Sequence, residues 1–216
     1  DLFQFFNINL GTNAIPKYMD GAFRLNFPLK NGANFAIFGL GGDSNIDIVL
    51  HDQEPGDDGI YGANSRDQYF GSRTGVVGMN YTKPIDKSMY LKATVAASHY
   101  RVFGNHDLIE WELPDLDSYT NLIPILDYRH EENKYSAYFF LNKKFNRKMS
   151  AKFGVNLDMN QVNYIDSAKS FQEEMNYPGN IDLSDWRVRW DAQDMYAMVQ
   201  PYAQFKYKAS EKLILT

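Results

Sequence analysis

Residues 149–159 read MSAKFGVNLDM, with apolar side chains at every odd position and small or polar side chains at every even one. Such alternation is typical of a β-strand with one apolar and one polar face. The same parity returns in residues 22–30 and 89–97. The chain is therefore predicted to be built from amphipathic strands, and its function depends on what the apolar face contacts.

Composition limits the classes of protein to which the chain can belong. No stretch of its 216 residues approaches the roughly 18 uninterrupted apolar residues of a membrane helix, so strands would have to carry any membrane role. The chain has no Cys, which excludes disulfides, thiolate catalysis and Cys-based zinc sites. It starts at Asp1 without Met and stops in a strand-like run. We therefore expect residues 1–216 to be part of one domain.

Charge is distributed by position, although the net charge is only −5. Ten basic residues lie around the predicted short turns, against only Asp86 and Glu211. The predicted long connections, 43–68, 103–134 and 164–194, hold twenty-two of the twenty-seven carboxylates. Lysines are common in exposed turns, but basic residues grouped at one end of the strands would also favour contact with anionic phospholipid. The acidic connections argue against nucleic acid as a partner.

Turn signals divide the chain into alternating short and long connections. Tight hairpins are predicted at 30–34, 83–88, 146–148 and 208–212. Strands are predicted near 2–10, 22–30, 35–42, 69–82, 89–102, 135–145, 149–161, 195–207 and from 213 onward. Short turns alternating with long loops are typical of outer-membrane β-barrels, although a soluble sandwich would also show alternating strands.

Two further observations favour the barrel. Several predicted strands run for eleven to fourteen residues, whereas globular strands usually have about five or six. Aromatic residues also cluster beside the short turns, as an interfacial girdle would require. They are Phe27, Phe35, Tyr81, Phe145, Phe205 and Tyr207. Against this, residues 35–40 are apolar on both faces, and Pro201 must lie at a bulge or have no partner strand on the side of its missing N–H.

The sequence gives little support for catalysis, so we expect neither an enzyme nor a cofactor or metal site. The pairs His51-Asp52 and His106-Asp107 are adjacent on the chain, and adjacent strand residues point to opposite faces. A rim hydrolase using His51, His106 or His130 would need the loop acids to converge on one point. The acidic residues of 51–59 do not match the spacing of a helix-loop-helix calcium site.

Aromatic residues in the predicted long connections are the candidates for ligand binding. Long loops are often functional, and rings among acids and amides suit the capture of sugars, peptides or chelates. Packing of the loops against one another is the alternative interpretation. The candidates are Tyr61, Tyr69, Trp111, Tyr119, Trp186 and Trp190.

Four motifs stand out in the first half of the chain: GTNAIPKYMDGAFRLNFP at 11–28, FGLGG at 38–42, DQYFG at 67–71 and VVGM at 76–79. They resemble the barrel of TonB-dependent outer-membrane receptors of the Bacteroidetes type. The resemblance covers the first hundred residues best, and the motifs belong to the scaffold rather than to a ligand site.

The resemblance implies a barrel of twenty-two antiparallel strands with an N-terminal plug, located in the outer membrane of a Gram-negative bacterium. About nine strands in this chain would form part of that wall, without the plug or the segment that contacts TonB. The implied partners are outer-membrane lipid, TonB, a small nutrient ligand (chelate, glycan or peptide) and a possible surface lipoprotein. The alternative is a soluble or surface-attached all-β module that binds sugar or protein.

Overall fold

The computed structural model describes residues 15–51, 65–111, 119–170 and 184–216. Within these ranges the chain forms a single antiparallel sheet of eight strands, each paired with its neighbours in sequence. The strands are β1 (Ile15–Pro28), β2 (Asn34–Ile48), β3 (Arg66–Asp86), β4 (Met89–Trp111), β5 (Tyr119–Lys144), β6 (Met149–Ala168), β7 (Arg187–Lys208) and β8 (Ile214–Leu215). The all-β antiparallel prediction is confirmed for these residues. The strand predicted near 2–10 lies outside them.

One face of the sheet carries a continuous apolar band across seven strands. Leu157 in β6 lies between Ala137 of β5 and Val199 of β7, and because paired residues point the same way, all three share this face. We call it the apolar face, and the opposite one the polar face. The band comprises Phe23, Leu25, Phe27, Phe35, Ile37, Val77, Met79, Tyr81, Leu91, Ala93, Val95, Ala97, Tyr135, Ala137, Phe139, Leu141, Phe153, Val155, Leu157, Met159, Met195, Ala197, Val199 and Phe205.

The apolar band is exposed rather than packed into a core. Leu25 is 53% exposed, Val77 55% and Val199 66%. The described strands form one layer, so none of them covers this face. Residues 149–159 rise about 33 Å along the strand, or about 23 Å across a layer at a tilt of about 45°. An exposed apolar surface of this extent marks an interaction or membrane surface.

Glycines allow aromatic rings to lie flat on the sheet. A Cβ atom at Gly154 would lie 2.6 Å from Tyr202 Cζ, and Tyr202 is its direct partner in β7. The same arrangement pairs Gly71 with Phe103 across β3 and β4. Each ring therefore covers the backbone of its partner glycine. A side chain at that position would occupy the space of the ring.

All four predicted hairpins are confirmed, and side chains close three of them. Asp86 accepts hydrogen bonds from the backbone N–H and hydroxyl of Ser88, at 2.6 and 2.7 Å. Asn146 Oδ1 accepts from the backbone N–H groups of residues 148 and 149, and Ser210 Oγ from those of 212 and 213. At the fourth, Asn31 and Gly32 adopt positive φ angles of 61° and 71°. We call this end of the sheet the hairpin end, and the opposite one the far end.

The connections at the far end are shorter than the sequence pattern predicts. A connection is predicted over 103–134, but β4 continues to Trp111, which pairs with Tyr119 at the start of β5. Likewise, β6 extends to Ala168 and β7 begins at Arg187. Backbone pairing continues beyond the apolar band, where polar residues are mixed with buried apolar ones such as Leu108, Ile109 and Ile125. The strict alternation that reveals a strand is therefore lost before the strand ends.

The sheet is not closed on itself within the described residues. β8 pairs only with Tyr207 and Lys208, which leaves residues 187–206 of β7 without a second strand among those described. Pro201 lies in this stretch opposite Val155, and the irregularity between β6 and β7 is instead at Asp166. The missing N–H of Pro201 thus fits the unpaired side of an edge strand. No helix in the described ranges has the length and hydropathy of a transmembrane helix.

Candidate functional site

The polar face carries a group of aromatic side chains toward the far end of β5, β6 and β7. Tyr164 lies directly across from His130, with the ring centroids 5.0 Å apart. Trp190 lies 6.1 Å from His130 and 6.5 Å from Tyr164, and Tyr128 lies 5.4 Å from His130. We call these four residues the aromatic cluster. Trp190 is 58% exposed, so the cluster presents an open ring surface.

Strand alternation places the cluster on one face. Tyr128 and His130 are two residues apart in β5, so both point to the polar face. Asp166 of β6 pairs with Tyr128 of β5 on one side and with Trp190 of β7 on the other, so these three residues lie side by side on the same face. The cluster is therefore fixed by the register and does not depend on loop conformation.

The surroundings keep the cluster hydroxyls protonated. Burial, followed by the charges of Glu132 and Tyr196, raises the pKa of Tyr164. Burial and the charge of Asp166 raise the pKa of Tyr128. A phenol is already neutral near pH 7, and the raised pKa values keep both hydroxyls protonated at more alkaline pH as well. Both are hydrogen-bond donors, a chemistry suited to ligand hydroxyl and carbonyl groups.

Charged groups beside the cluster are largely paired. Arg189 donates two hydrogen bonds to the carboxylate of Asp166, from Nε and Nη2, both at 2.8 Å. Burial, followed by the charges of Arg66 and Arg189, lowers the pKa of His106, which holds its imidazole neutral near pH 7. The site therefore offers aromatic faces and hydrogen bonds more than net charge.

A second aromatic group lies on the polar face nearer the hairpin end. The rings of Tyr138 and Tyr202 stack at 6.3 Å with an interplanar angle of 9°, and their hydroxyls are 2.8 Å apart. Lys152 Nζ lies 4.2 Å from the ring centroid of Phe140 and 5.3 Å from that of Tyr202. Cation–π contact of this kind holds the ammonium group on the face of the sheet. Aromatic residues therefore occur at two levels along the polar face.

The histidines predicted for a rim hydrolase do not converge. His51 Nδ1 contacts Asp67 Oδ2 on the side of the sheet that carries the apolar face, and Asp52 lies outside the described residues. His106 and His130 point to the polar face, where His106 packs edge-on against Phe70 at 5.3 Å. Because a paired base and nucleophile must share one site, this arrangement does not assemble the three histidines into one.

Asp67 has a structural role that the sequence pattern does not reveal. Its carboxylate is fully buried and accepts hydrogen bonds from the backbone N–H of Leu50 at 2.7 Å and of His51 at 3.2 Å. Burial and the charge of Asp67 raise the pKa of Asp107, its partner in β4. Burial, followed by the charges of Asp67 and Asp107, raises the pKa of Tyr69 to about 12. Asp67 of β3 thus holds the residues that follow β2 in place through hydrogen bonds.

The structure separates the candidates predicted from sequence. Trp190 belongs to the aromatic cluster, whereas Tyr69 lies beside Asp67 on the opposite face. Trp186 precedes β7, with Lys169 Nζ 5.3 Å from its ring centroid. Tyr61 lies outside the described residues, as do the side chains of Trp111 and Tyr119.

Three members of the aromatic cluster, Tyr128, His130 and Tyr164, were not predicted as binding candidates. All three occupy even-numbered positions, in the segments 128–130 and 164–166 of two strands that pair with each other. This shared alternation is the signal that could have identified them. Within the described ranges, no three His, Asp or Glu residues are grouped as a metal site.

Comparisons with known proteins do not identify a family. The chain matches no protein-family model, no curated protein sequence and no solved structure.

Proposed function

We propose that this chain forms part of the wall of an outer-membrane β-barrel in a Gram-negative bacterium, belonging to a TonB-dependent nutrient receptor. The observation that carries the barrel is the continuous, exposed apolar band opposite a polar face. In this arrangement the band contacts lipid and the polar face lines the lumen. The TonB-dependent class rests on the resemblance of the sequence motifs.

The open edges of the sheet support a closed assembly. In lipid, an unpaired edge strand exposes backbone N–H and C=O groups, each at a cost of several kcal/mol. Further strands at β1 and β7 would satisfy these groups and close the wall. A plug domain and TonB would complete the receptor, and a surface lipoprotein is a possible partner.

The aromatic cluster is the proposed contact for the nutrient. Its rings lie on the luminal side beyond the level of the apolar band, where an incoming ligand would first meet the wall. Stacking on Trp190 and hydrogen bonds to neutral phenols suit a glycan, a peptide or an organic chelate. The ligand is held by non-covalent contacts, and the function needs no bond chemistry.

Two lysine substitutions test the orientation of the sheet. Leu157→Lys places a charge in the middle of the apolar band and should cost about 2–4 kcal/mol of folding free energy in lipid. Asn156→Lys, on the adjacent residue of the polar face, is the matched control. The natural full-length protein and the control should fractionate with the outer membrane, and Leu157→Lys should be depleted from it. A natural protein that is extracted by aqueous buffer as a stable monomer would contradict the proposal.

The second candidate is a soluble or surface-attached module that binds sugar or protein, which the aromatic cluster also favours. That function requires a second layer to cover the apolar band. The same fractionation separates the two candidate functions. A protein whose apolar band is covered by a second layer should be extracted by aqueous buffer without detergent.

A further inference from the structure

A strip of charged side chains lies on the apolar face just beyond the band, toward the far end. Arg73 and Arg101 are direct partners across β3 and β4. Arg73 lies four residues before the band residue Val77, and Arg101 lies four residues after Ala97. This separation is about 13 Å along each strand and about 9 Å across a layer at a tilt of about 45°. Arginine side chains can reach back over part of that distance. Their guanidinium groups thus lie at the level of lipid headgroups if the band contacts acyl chains.

An aromatic ring holds two of these guanidinium groups in place. The Cζ atom of Arg101 lies 5.2 Å from the ring centroid of Phe103, and that of Arg73 lies 6.0 Å from it. Phe103 itself covers Gly71, its partner in β3. The positions of the two cations are therefore set by the sheet, which reduces the entropy cost of binding a ligand.

A cleft of about 310 Å³ opens beside this ring. Its basic lining comes from Arg101 and Arg129, its apolar lining from Phe103 and Ile165, and its acidic lining from Asp127. The register places all five on the side of the apolar face. The cleft therefore combines two guanidinium groups with apolar walls on the surface that the proposed function assigns to lipid.

The nearby carboxylates leave some hydrogen-bond donors of the arginines unsatisfied. Arg73 Nε contacts Asp43. One carboxylate, Glu131, lies between the other two arginines, 3.4 Å from Arg101 Nε and 4.0 Å from Arg129 Nε. Neither Nε atom has a hydrogen-bond partner. Three carboxylates, Asp43, Glu131 and Asp127, thus stand near three arginines, so the group carries no net charge. The Nε donors of Arg101 and Arg129 are nevertheless unsatisfied, and a phosphate oxygen is an acceptor that would satisfy them.

We propose that Arg73, Arg101 and Arg129 bind the phosphate headgroup of a membrane lipid whose acyl chains lie along the apolar band. Guanidinium groups bind phosphate through paired N–H donors, more specifically than an ammonium group does. Phe103 and Ile165 contact the part of the lipid that joins headgroup to acyl chains, and Asp127 faces its hydroxyl or amine groups. This inference rests on the proposed function, because it requires the band to lie in lipid.

Lipid binding to the purified natural full-length protein tests the inference. Delipidated protein in detergent is titrated with lipid A and with its dephosphorylated form, and bound lipid is counted by native mass spectrometry. Arg101→Gln with Arg129→Gln should weaken phosphorylated lipid about thirtyfold, at about fivefold per arginine. Arg24→Gln with Lys92→Gln removes the same charge from the polar face and should leave affinity unchanged. Arg73→Gln, at a side chain that is 56% exposed, should weaken it about fivefold without disturbing the fold.

The possible outcomes are distinguishable. Equal affinity of the natural protein and the arginine variants for lipid A overturns the inference, as does an equal loss for the dephosphorylated lipid. A natural protein that needs no detergent refutes the membrane location itself. A detergent-dependent protein with unchanged lipid affinity refutes only the headgroup site.

Discussion

The ring of Tyr202 lies over Gly154, its direct partner across β7 and β6, and its hydroxyl reaches Tyr138 on β5. One glycine thus allows a side chain of the edge strand to contact a strand two positions away. In a one-layer sheet such contacts along the polar face substitute for part of a buried core. The polar face therefore contributes to stability as well as to binding.

The first prediction concerns this contact. Gly154→Val would place a Cβ atom 2.6 Å from Tyr202 Cζ and 2.7 Å from the carbonyl oxygen of Phe139. Displacement of the ring should destabilise the protein by about 1–3 kcal/mol, measured by denaturant unfolding in detergent. Gly75→Val is the control, because a Cβ atom at Gly75 meets nothing within 4 Å. Equal losses in the two variants would show that the ring contact is not the cause.

The second prediction concerns the buried carboxylate of Asp67. Asp67→Ala leaves the backbone N–H groups of Leu50 and His51 without their acceptor, at about 1–3 kcal/mol each. Hydrogen exchange at these two amides should accelerate while exchange in the hairpins stays unchanged. Asp47→Ala is the control, since its ion pair with Lys17 is exposed and 3.6 Å long. Unchanged exchange at Leu50 would be incompatible with the anchoring role of Asp67.

The third prediction concerns pH at the hairpin end. The hydroxyl and backbone N–H of Ser88, followed by Lys143, lower the pKa of Asp86 from 3.8 to about 2. Because the folded-state pKa is depressed, the charged form stabilises the turn above pH 3.8, and this contribution is lost as pH falls from 3.8 toward 2. Carbon NMR titration of the Asp86 carboxyl should give the low midpoint, and Ser88→Ala should raise it. Ser210→Ala should not, and a natural midpoint near 3.8 would refute the assignment.

The fourth prediction concerns ligand binding at the aromatic cluster. A neutral oligosaccharide, a ferric hydroxamate chelate and an oligopeptide are titrated calorimetrically into the natural protein. For any probe that binds, Trp190→Ala should weaken affinity about threefold to tenfold, and Trp190→Phe should restore most of the loss. Phe145→Ala, beside a short turn, is the control. Binding of a probe that Trp190→Ala leaves unchanged would place the nutrient contact elsewhere.

Sequence alone predicted the strands only where one face is apolar. The parity of 149–159 identified β6, and the four hairpins followed from Gly, Asn, Pro and Ser signals. Residues 119–134 of β5 were missed, because the apolar run at 122–126, which contains Pro124, and the polar run at 127–134 do not alternate. Of the aromatic cluster, Trp190 was among the predicted candidates. Tyr128, His130 and Tyr164 were not, because their proximity follows from the register of β5, β6 and β7. Asp67 could not be recognised, because its partners at Leu50 and His51 are brought to it only by folding.

The orientation of the sheet in the membrane can be measured directly at two neighbouring residues. Residues 1–216 contain no Cys, so Leu157→Cys and Asn156→Cys each provide a single site for a nitroxide label within this part of the protein. After reconstitution of the full-length protein in lipid, the label at Leu157 should collide with lipid-dissolved oxygen and be shielded from a water-soluble nickel complex. The label at Asn156 should show the opposite preference. Equal access of the nickel complex to both labels would contradict a lipid-facing apolar band.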